Sequence, residues 1–413
     1  MPPSSKTINR AKLKQDIDAI RKDLSVIDWS QIFDSRDLNK TVISFCFRLS
    51  QIISKHTNII TLKRRERAIK PWITPGLIRC MRHRDRLHMQ ARKYPDDILK
   101  RIIYTRYRNF CNNLLRKLKR QYDDVSLSTN LKNPKKMWRS IKDICHLTTK
   151  IQDPYELLNT EGAADAKVSL DKCNIYFSTV GQTLANSILH ELQTDEKKLA
   201  AKVKPRHQIL NSFFMTPTDE HEVENIIMSL QNDKAPGIDG LSNALLKEIK
   251  DVIISPLTTI FNQSLLTGVF PEQWKIACIK PIYKAGTKNS PQNYRPISLL
   301  TAFSKLLEKV VSNRLNNFIE ANNLISSRQF GFRSGKSTED AVTLFTSTIA
   351  GHLDHNKTSL AVFLDLSKAF DTVSIPILLE KLETQFGIRG VALDWFRSYL
   401  TERKHCIRVG AYE

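Results

Sequence analysis

The chain has no Cys-x-x-Cys pair, and its seven cysteines, at 46, 80, 111, 145, 173, 278 and 406, are odd in number and far apart. That spacing argues against a zinc module or a disulfide framework and implies a reducing compartment. No run approaches the roughly 18 apolar residues of a membrane span, and Met-Pro-Pro-Ser-Ser-Lys at the start has no apolar core for a signal peptide. The expectation is an intracellular protein, neither secreted nor membrane-bound. His352 and His355 are three apart, but no third ligand type is near, and Gly351, Asp354 and Asn356 make the stretch a turn. Gly-Lys-Ser at 335–337 lacks the glycine a phosphate loop needs five positions earlier, where Phe330 stands, and no apolar strand precedes it. A P-loop nucleotidase is excluded.

Acidic residues are also in short supply. Lys and Arg number 64 against 42 Asp and Glu, a net charge of +22 on a chain that is 41% hydrophobic and 26% charged. This is a globular composition of ample length for a core and two or three domains, with polyanions as natural partners. The charge is concentrated: from Thr61 to Arg120 there are 19 Lys and Arg against 4 Asp and Glu. In that window Leu99, Ile103, Tyr107, Phe110, Leu114, Leu118 and Tyr122 recur at helical steps, with Arg101, Arg106, Arg108, Arg116, Lys117, Lys119 and Arg120 on the other faces. The pattern predicts a long amphipathic helix with a second piece, Pro134 to Cys145, folded against it. A solvated basic face is the plain reading; contact with nucleic-acid phosphates suits the excess of charge better, and such contacts position without specifying sequence.

Residues 1–60 carry no legible chemistry and read as a lead-in segment. Residues 147–204 read as a linker containing a helix from Val168 to Leu192, with a boundary near 205. Beyond it, Asp233-Lys-Ala-Pro-Gly-Ile-Asp-Gly240 carries two turn signals, and Leu257, Ile260, Phe261 and Leu265 mark a helix closed by Gly268. A strand from Ile276 to Ile282, a basic loop and a second short strand place Lys284 and Arg295 on a hairpin tip, where they suit a triphosphate or are incidental surface charge. Helices follow from Phe303 to Ala321 and from Thr338 to Ile349. Leu360 to Leu364 is an apolar run without Gly or Pro that predicts a buried strand ending at Asp365. Asp365 then caps a turn or stands at a sheet edge where a divalent ion can bind.

Four blocks, in order, resemble the reverse transcriptases of non-LTR (LINE-like, jockey-type) retrotransposons: Lys-Ala-Pro-Gly-Ile-Asp-Gly at 234–240, Tyr-Arg-Pro-Ile-Ser at 294–298, Gln-Phe-Gly-Phe-Arg-Ser-Gly-Lys-Ser-Thr at 329–338 and Leu-Asp-Leu-Ser-Lys-Ala-Phe-Asp at 364–371. The resemblance implies an α/β (α+β) chain: a basic all-helical N-terminal region (61–146) followed by right-hand polymerase fingers (205–350) and the start of a palm (351–413). It implies RNA-directed DNA synthesis with Mg²⁺ (or Mn²⁺), an RNA template, a DNA primer and deoxynucleoside triphosphates, in a ribonucleoprotein of nucleus and cytoplasm. No protein partner is indicated. Asp365 would be the metal-binding catalytic aspartate, assisted by the Leu366 carbonyl. Lys284 and Arg295 would contact nucleotide phosphates, Phe370 the sugar, and Gln329, Gly331 and Arg333 the template. Asp371 belongs to the pattern with its role open among metal contact, capping and pairing with Lys368.

The family's Tyr/Phe-Ala-Asp-Asp hairpin, which supplies the rest of the two-metal site, is not in these 413 residues. The sequence therefore reads as a truncated polymerase, inactive alone. Its rival is a non-catalytic RNA-binding remnant of a retroelement, and a group II intron maturase fits the fingers blocks less well.

Overall fold

A computed structural model describes residues 11–33, 35, 37–61, 70–131, 133–145, 147, 155–160, 165–193, 211–366 and 368–409. In chain order the first elements are β1 (Ala11–Gln15), α1 (Ile17–Ser25), α2 (Leu38–Lys55), β2 (Thr57–Thr61), α3 (Pro75–Lys93), α4 (Ile98–Asn130), α5 (Pro134–Ile144) and α6 (Ala166–Gln193). There follow α7 (Glu220–Ser229), α8 (Asn243–Glu248), α9 (Lys250–Thr267), β3 (Ile276–Tyr283), β4 (Tyr294–Leu299), α10 (Ala302–Ala321), α11 (Thr338–Asp354), α12 (Ile375–Phe386), α13 (Val391–Leu400) and β5 (Lys404–Ile407). The chain divides into two compact units, one of Met1–Leu13 with Ile59–Gln152, the other of Lys14–Asn58 with Asp153–Glu413. No described helix is long and apolar enough to cross a membrane.

The first unit is the basic helical region. Thr74 caps α3 and Asp97 caps α4, each side chain accepting from a backbone N–H of the first turn, with Pro75 opening α3 where its missing donor costs nothing. The two helices run antiparallel, as the descending contacts across the seam require: Cys80 with Cys111, His83 with Tyr107 at 4.7 Å and His88 with Tyr104 at 4.9 Å. The buried stripe differs from the expected one. Tyr104, Tyr107, Cys111, Leu114 and Leu118 turn inward, while Leu99, Ile103 and Phe110 remain exposed. Leu77 and Cys111 are its only buried apolar residues among those described, so this is a thin hairpin with much of its surface open.

In the second unit the core is helical. Phe45 of α2 packs against Trp29 and, edge to face, against Phe303; Trp274 meets Phe261 and Phe303; Trp395 meets Phe270. Residues 14–58, expected as a lead-in, are thus part of this core, and Asn39 accepts from the Glu272 N–H at 2.9 Å. The Arg314 guanidinium of α10 grips both oxygens of Glu222 on α7 at 2.9 and 2.8 Å and donates to the carbonyls of Thr216 and Pro217. That fork holds the entry to α7 against α10. Gly268 ends α9 at φ +68° as the sequence predicted, and a Cβ there would stand 2.8 Å from the Val391 carbonyl.

A three-stranded sheet, β4-β3-β5, pairs β3 antiparallel with β4 and parallel with β5. Ile279, Tyr294 and Ile407 on one face pack with Leu170 and Cys173 of α6 and with Leu157, making a second, smaller core. The long helices at 302–321, 338–354 and 166–193 match the periodicity.

The run Leu360–Leu364 does not form the expected buried strand. It has no ladder and no regular secondary structure, Leu360 and Leu364 are 93% and 89% exposed, and Phe363 meets Phe345 of α11 at 5.6 Å. An apolar run is buried only when strands flank both edges and elements cover both faces. Among the described residues no strand pairs with this one.

Candidate functional site

The hairpin of β3 and β4 sets the first group of side chains. Its register pairs Ile282 with Arg295 and Lys280 with Ile297, and the Lys284 N–H donates to the Asn293 carbonyl at 2.8 Å. By the two-residue period Lys284 and Arg295 share the face of Ile282 and Ile297, which is exposed at the tip, while Ile279 and Tyr294 on the opposite face are covered. The connecting loop is tied down: Tyr283 donates to the Gly286 carbonyl at 2.6 Å, Tyr294 to that of Lys288 at 2.7 Å, and Asn293 to that of Thr287 at 2.8 Å. Burial pushes the Tyr294 hydroxyl up to about 12, so it stays a donor. The result is a braced rim whose outer face carries Lys284 and Arg295 at the tip and Lys280 further down, among Ile282 and Ile297.

The second group follows the exposed run. Asp365, Leu366, Lys368, Phe370 and Asp371 are all solvent-exposed. The Lys368 ammonium donates to the Tyr176 hydroxyl of α6 at 3.0 Å and lies 5.1 Å from that ring's centre. Five residues along the same helix, a Cβ on Gly181 would stand 2.0 Å from the Asp371 carbonyl oxygen, so only glycine lets α6 approach the turn. α6 therefore touches both the covered face of the hairpin, through Leu170 and Cys173, and the turn at 368–371, with about 1.5 Å of helix per residue setting the spacing. No motif marks Tyr176 or Gly181 for the site; a glycine inside a helical pattern is the one signal of a close approach.

The loop ahead of α11 brings the third group. Gln329 donates to the Gly331 carbonyl at 3.1 Å, and a Cβ on Gly331 would meet nothing within 4 Å. The Arg333 guanidinium is held by both oxygens of Glu320 and by the Ser326 carbonyl at 3.0 Å, and this pairing draws the Glu320 carboxyl below its ordinary range. Phe332, at φ +61°, meets Phe370 edge to face at 6.2 Å. The structure thus joins this loop to the turn after Asp365, and α6 to the same turn.

A hard divalent ion prefers several oxygen ligands. Asp365 and the Leu366 carbonyl are of the right chemistry, but no group of three His, Cys, Asp or Glu side chains able to hold a metal occurs among the described residues. The donor set is partial. His352 and His355 do not supply it: the first is bonded to Ser359 at 2.8 Å and the second to the Gly351 carbonyl at 2.7 Å.

Residues 282–412 match the family of reverse transcriptases (RNA-dependent DNA polymerases), a stretch that contains the hairpin tip, the 329–333 loop and Asp365. The chain is 39% identical over 194 residues to a probable RNA-directed DNA polymerase from transposon BS of Drosophila melanogaster, covering 47% of this chain and 21% of that protein. It is 34% identical over 193 residues to the RNA-directed DNA polymerase from mobile element jockey of the same organism, covering 46% and 21%. A third relative, the putative 115 kDa protein in type-1 retrotransposable element R1DM, is 30% identical over 189 residues, covering 45% and 18%. The chain spans about a fifth of the length of the curated relatives it matches.

Proposed function

We propose that this chain serves RNA-directed DNA synthesis, because residues 282–412 match the reverse transcriptase family and the similar proteins come from transposon BS and mobile element jockey. The observation that carries the reading is the hairpin face, where Lys284 and Arg295 stand exposed and share one side. Two exposed cations at the tip of a braced hairpin would take the phosphates of a deoxynucleoside triphosphate. Phe370, in edge-to-face contact with Phe332, would be the ring that excludes a ribose 2′ hydroxyl.

Asp365 with the Leu366 carbonyl would hold Mg²⁺ or Mn²⁺, which supplies charge neutralisation at the transferred phosphoryl group. Gln329, Gly331 and Arg333 would line the path of the RNA template, with the Arg333 guanidinium held by Glu320. Lys368, held by Tyr176, positions the turn, and Asp371 acts through its backbone contact with α6. The basic helices of the first unit would grip the phosphates of template and DNA primer. A ribonucleoprotein in nucleus and cytoplasm follows from that partner set.

Primer extension on an RNA template with Mg²⁺ tests this. Incorporation that disappears in Asp365→Asn supports the polymerase. A second reading, an RNA-binding protein without catalysis, draws on the exposed basic surface of α3 and α4; salt-sensitive RNA binding with no incorporation would favour it.

A further inference from the structure

Helices α10 and α13 leave between them a cavity of 410 Å³, with Val311, Leu315 and Phe396 as apolar wall and Lys305, Glu308 and Lys309 at its rim. It takes no part in the site described above. Lys305 and Lys309 are four apart on one helix, on the same face, with Glu308 three residues after Lys305 and within reach of its charge. Glu308 between them accepts from the Ser304 hydroxyl at 3.0 Å, and burial pushes its carboxyl above the ordinary range. Tyr399, which lines the cavity, is itself held by Arg403, which lies over its ring at 4.9 Å and donates to its carbonyl at 3.0 Å. A hole with apolar walls, a hydrogen-bonding carboxyl and a cationic rim matches one kind of ligand well: a planar ring that carries a phosphate.

We propose that this cavity takes one nucleotide of a single-stranded nucleic acid, its phosphate against Lys305 and Lys309 and its base against Phe396, Val311 and Leu315. The proposal rests on the reading of the chain as a nucleic-acid polymerase and adds a second contact point for the strand. Glu308 or Ser312 supplies the hydrogen bond to the base edge.

The test is photocrosslinking of the full chain to single-stranded RNA bearing 4-thiouridine, with adducts mapped by mass spectrometry. Adducts are expected on the peptides of α10 or α13, centred on Phe396 and Tyr399. Lys305→Glu with Lys309→Glu should lower their yield about tenfold, equivalent to about 1.4 kcal/mol, while adducts on α4 persist. Lys309→Gln alone, at an exposed position, should give a smaller loss and guards against misfolding. Adducts confined to other elements, or insensitive to these substitutions, overturn the proposal. Primer extension is scored separately: incorporation without the α13 adduct overturns the cavity while the polymerase reading stands, and the adduct without incorporation supports the cavity whichever reading of the chain holds.

Discussion

The ring of Phe332 meets that of Phe370 edge to face, with centroids 6.2 Å apart and planes at 89°, although both side chains are otherwise open to solvent. The contact links the loop of the 329–338 block to the turn that follows Asp365. An aromatic pair of this geometry is worth roughly 1 kcal/mol, the low end applying to exposed rings. Phe332→Ala should therefore speed amide exchange across 368–373 several-fold while leaving the melting temperature of the helical core unchanged. Unaltered exchange would mean that the pair holds nothing in place.

Gly181→Ala gives a test by sign. In most helix interiors this change stabilises by up to about 1 kcal/mol. Here the new methyl would fall 2.0 Å from the Asp371 carbonyl oxygen, a backbone atom that must shift, and overpacking of this kind costs about 1–3 kcal/mol. The expected result is a less stable chain in urea melts, with the Lys368 contact to Tyr176 broken. A more stable variant would show that the turn yields freely.

Arg314 is only 12% exposed at its side chain and satisfies Glu222 together with three backbone carbonyls. Its removal leaves a half-buried carboxylate and those carbonyls without their donor. Arg314→Ala should cost about 3 kcal/mol in equilibrium unfolding, and Arg314→Lys should recover only part because a single ammonium does not reproduce the fork. The Glu222 carboxyl, held below its ordinary range by the guanidinium, should move back up in the variant.

Glu308 sets a pH dependence of opposite sense. Burial raises its carboxyl above the ordinary 4.5, so the folded chain binds that proton more tightly than the unfolded one. The associated stability is complete below about 4.5 and is lost as pH rises through the raised value. Glu308→Gln removes the charge that burial disfavours. Its melting temperature should exceed the parent's at pH 7.5, and the difference should shrink towards pH 5; a constant difference would assign the effect to packing.

Local pattern was enough for some elements and could not be for others. The helices at 302–321 and 338–354, the Gly268 cap and the β3–β4 hairpin each declare themselves within a window of a few turns, through periodicity or a residue with special backbone freedom. Whether Leu360–Leu364 is covered depends on neighbours, which its own composition does not encode. The same holds for α2, whose Phe45 finds Phe303 some 250 residues away, and for α6, whose Gly181 acquires meaning only from the Asp371 backbone. The strand–loop–strand pattern is enough to put Lys284 and Arg295 on one hairpin tip, whereas the pairing of Arg333 with Glu320 spans a loop whose path the sequence does not dictate.

The uncovered run at 360–366 carries a further consequence, in how the chain behaves in bulk. Its backbone donors and acceptors have no ladder, its side chains are apolar on both sides, and no charge precedes Asp365 to interrupt it. Such a segment templates intermolecular strand pairing and seeds cross-β aggregates. Concentrated solutions should scatter light progressively, and a gatekeeper charge such as Val362→Lys should delay that onset without altering the helical core.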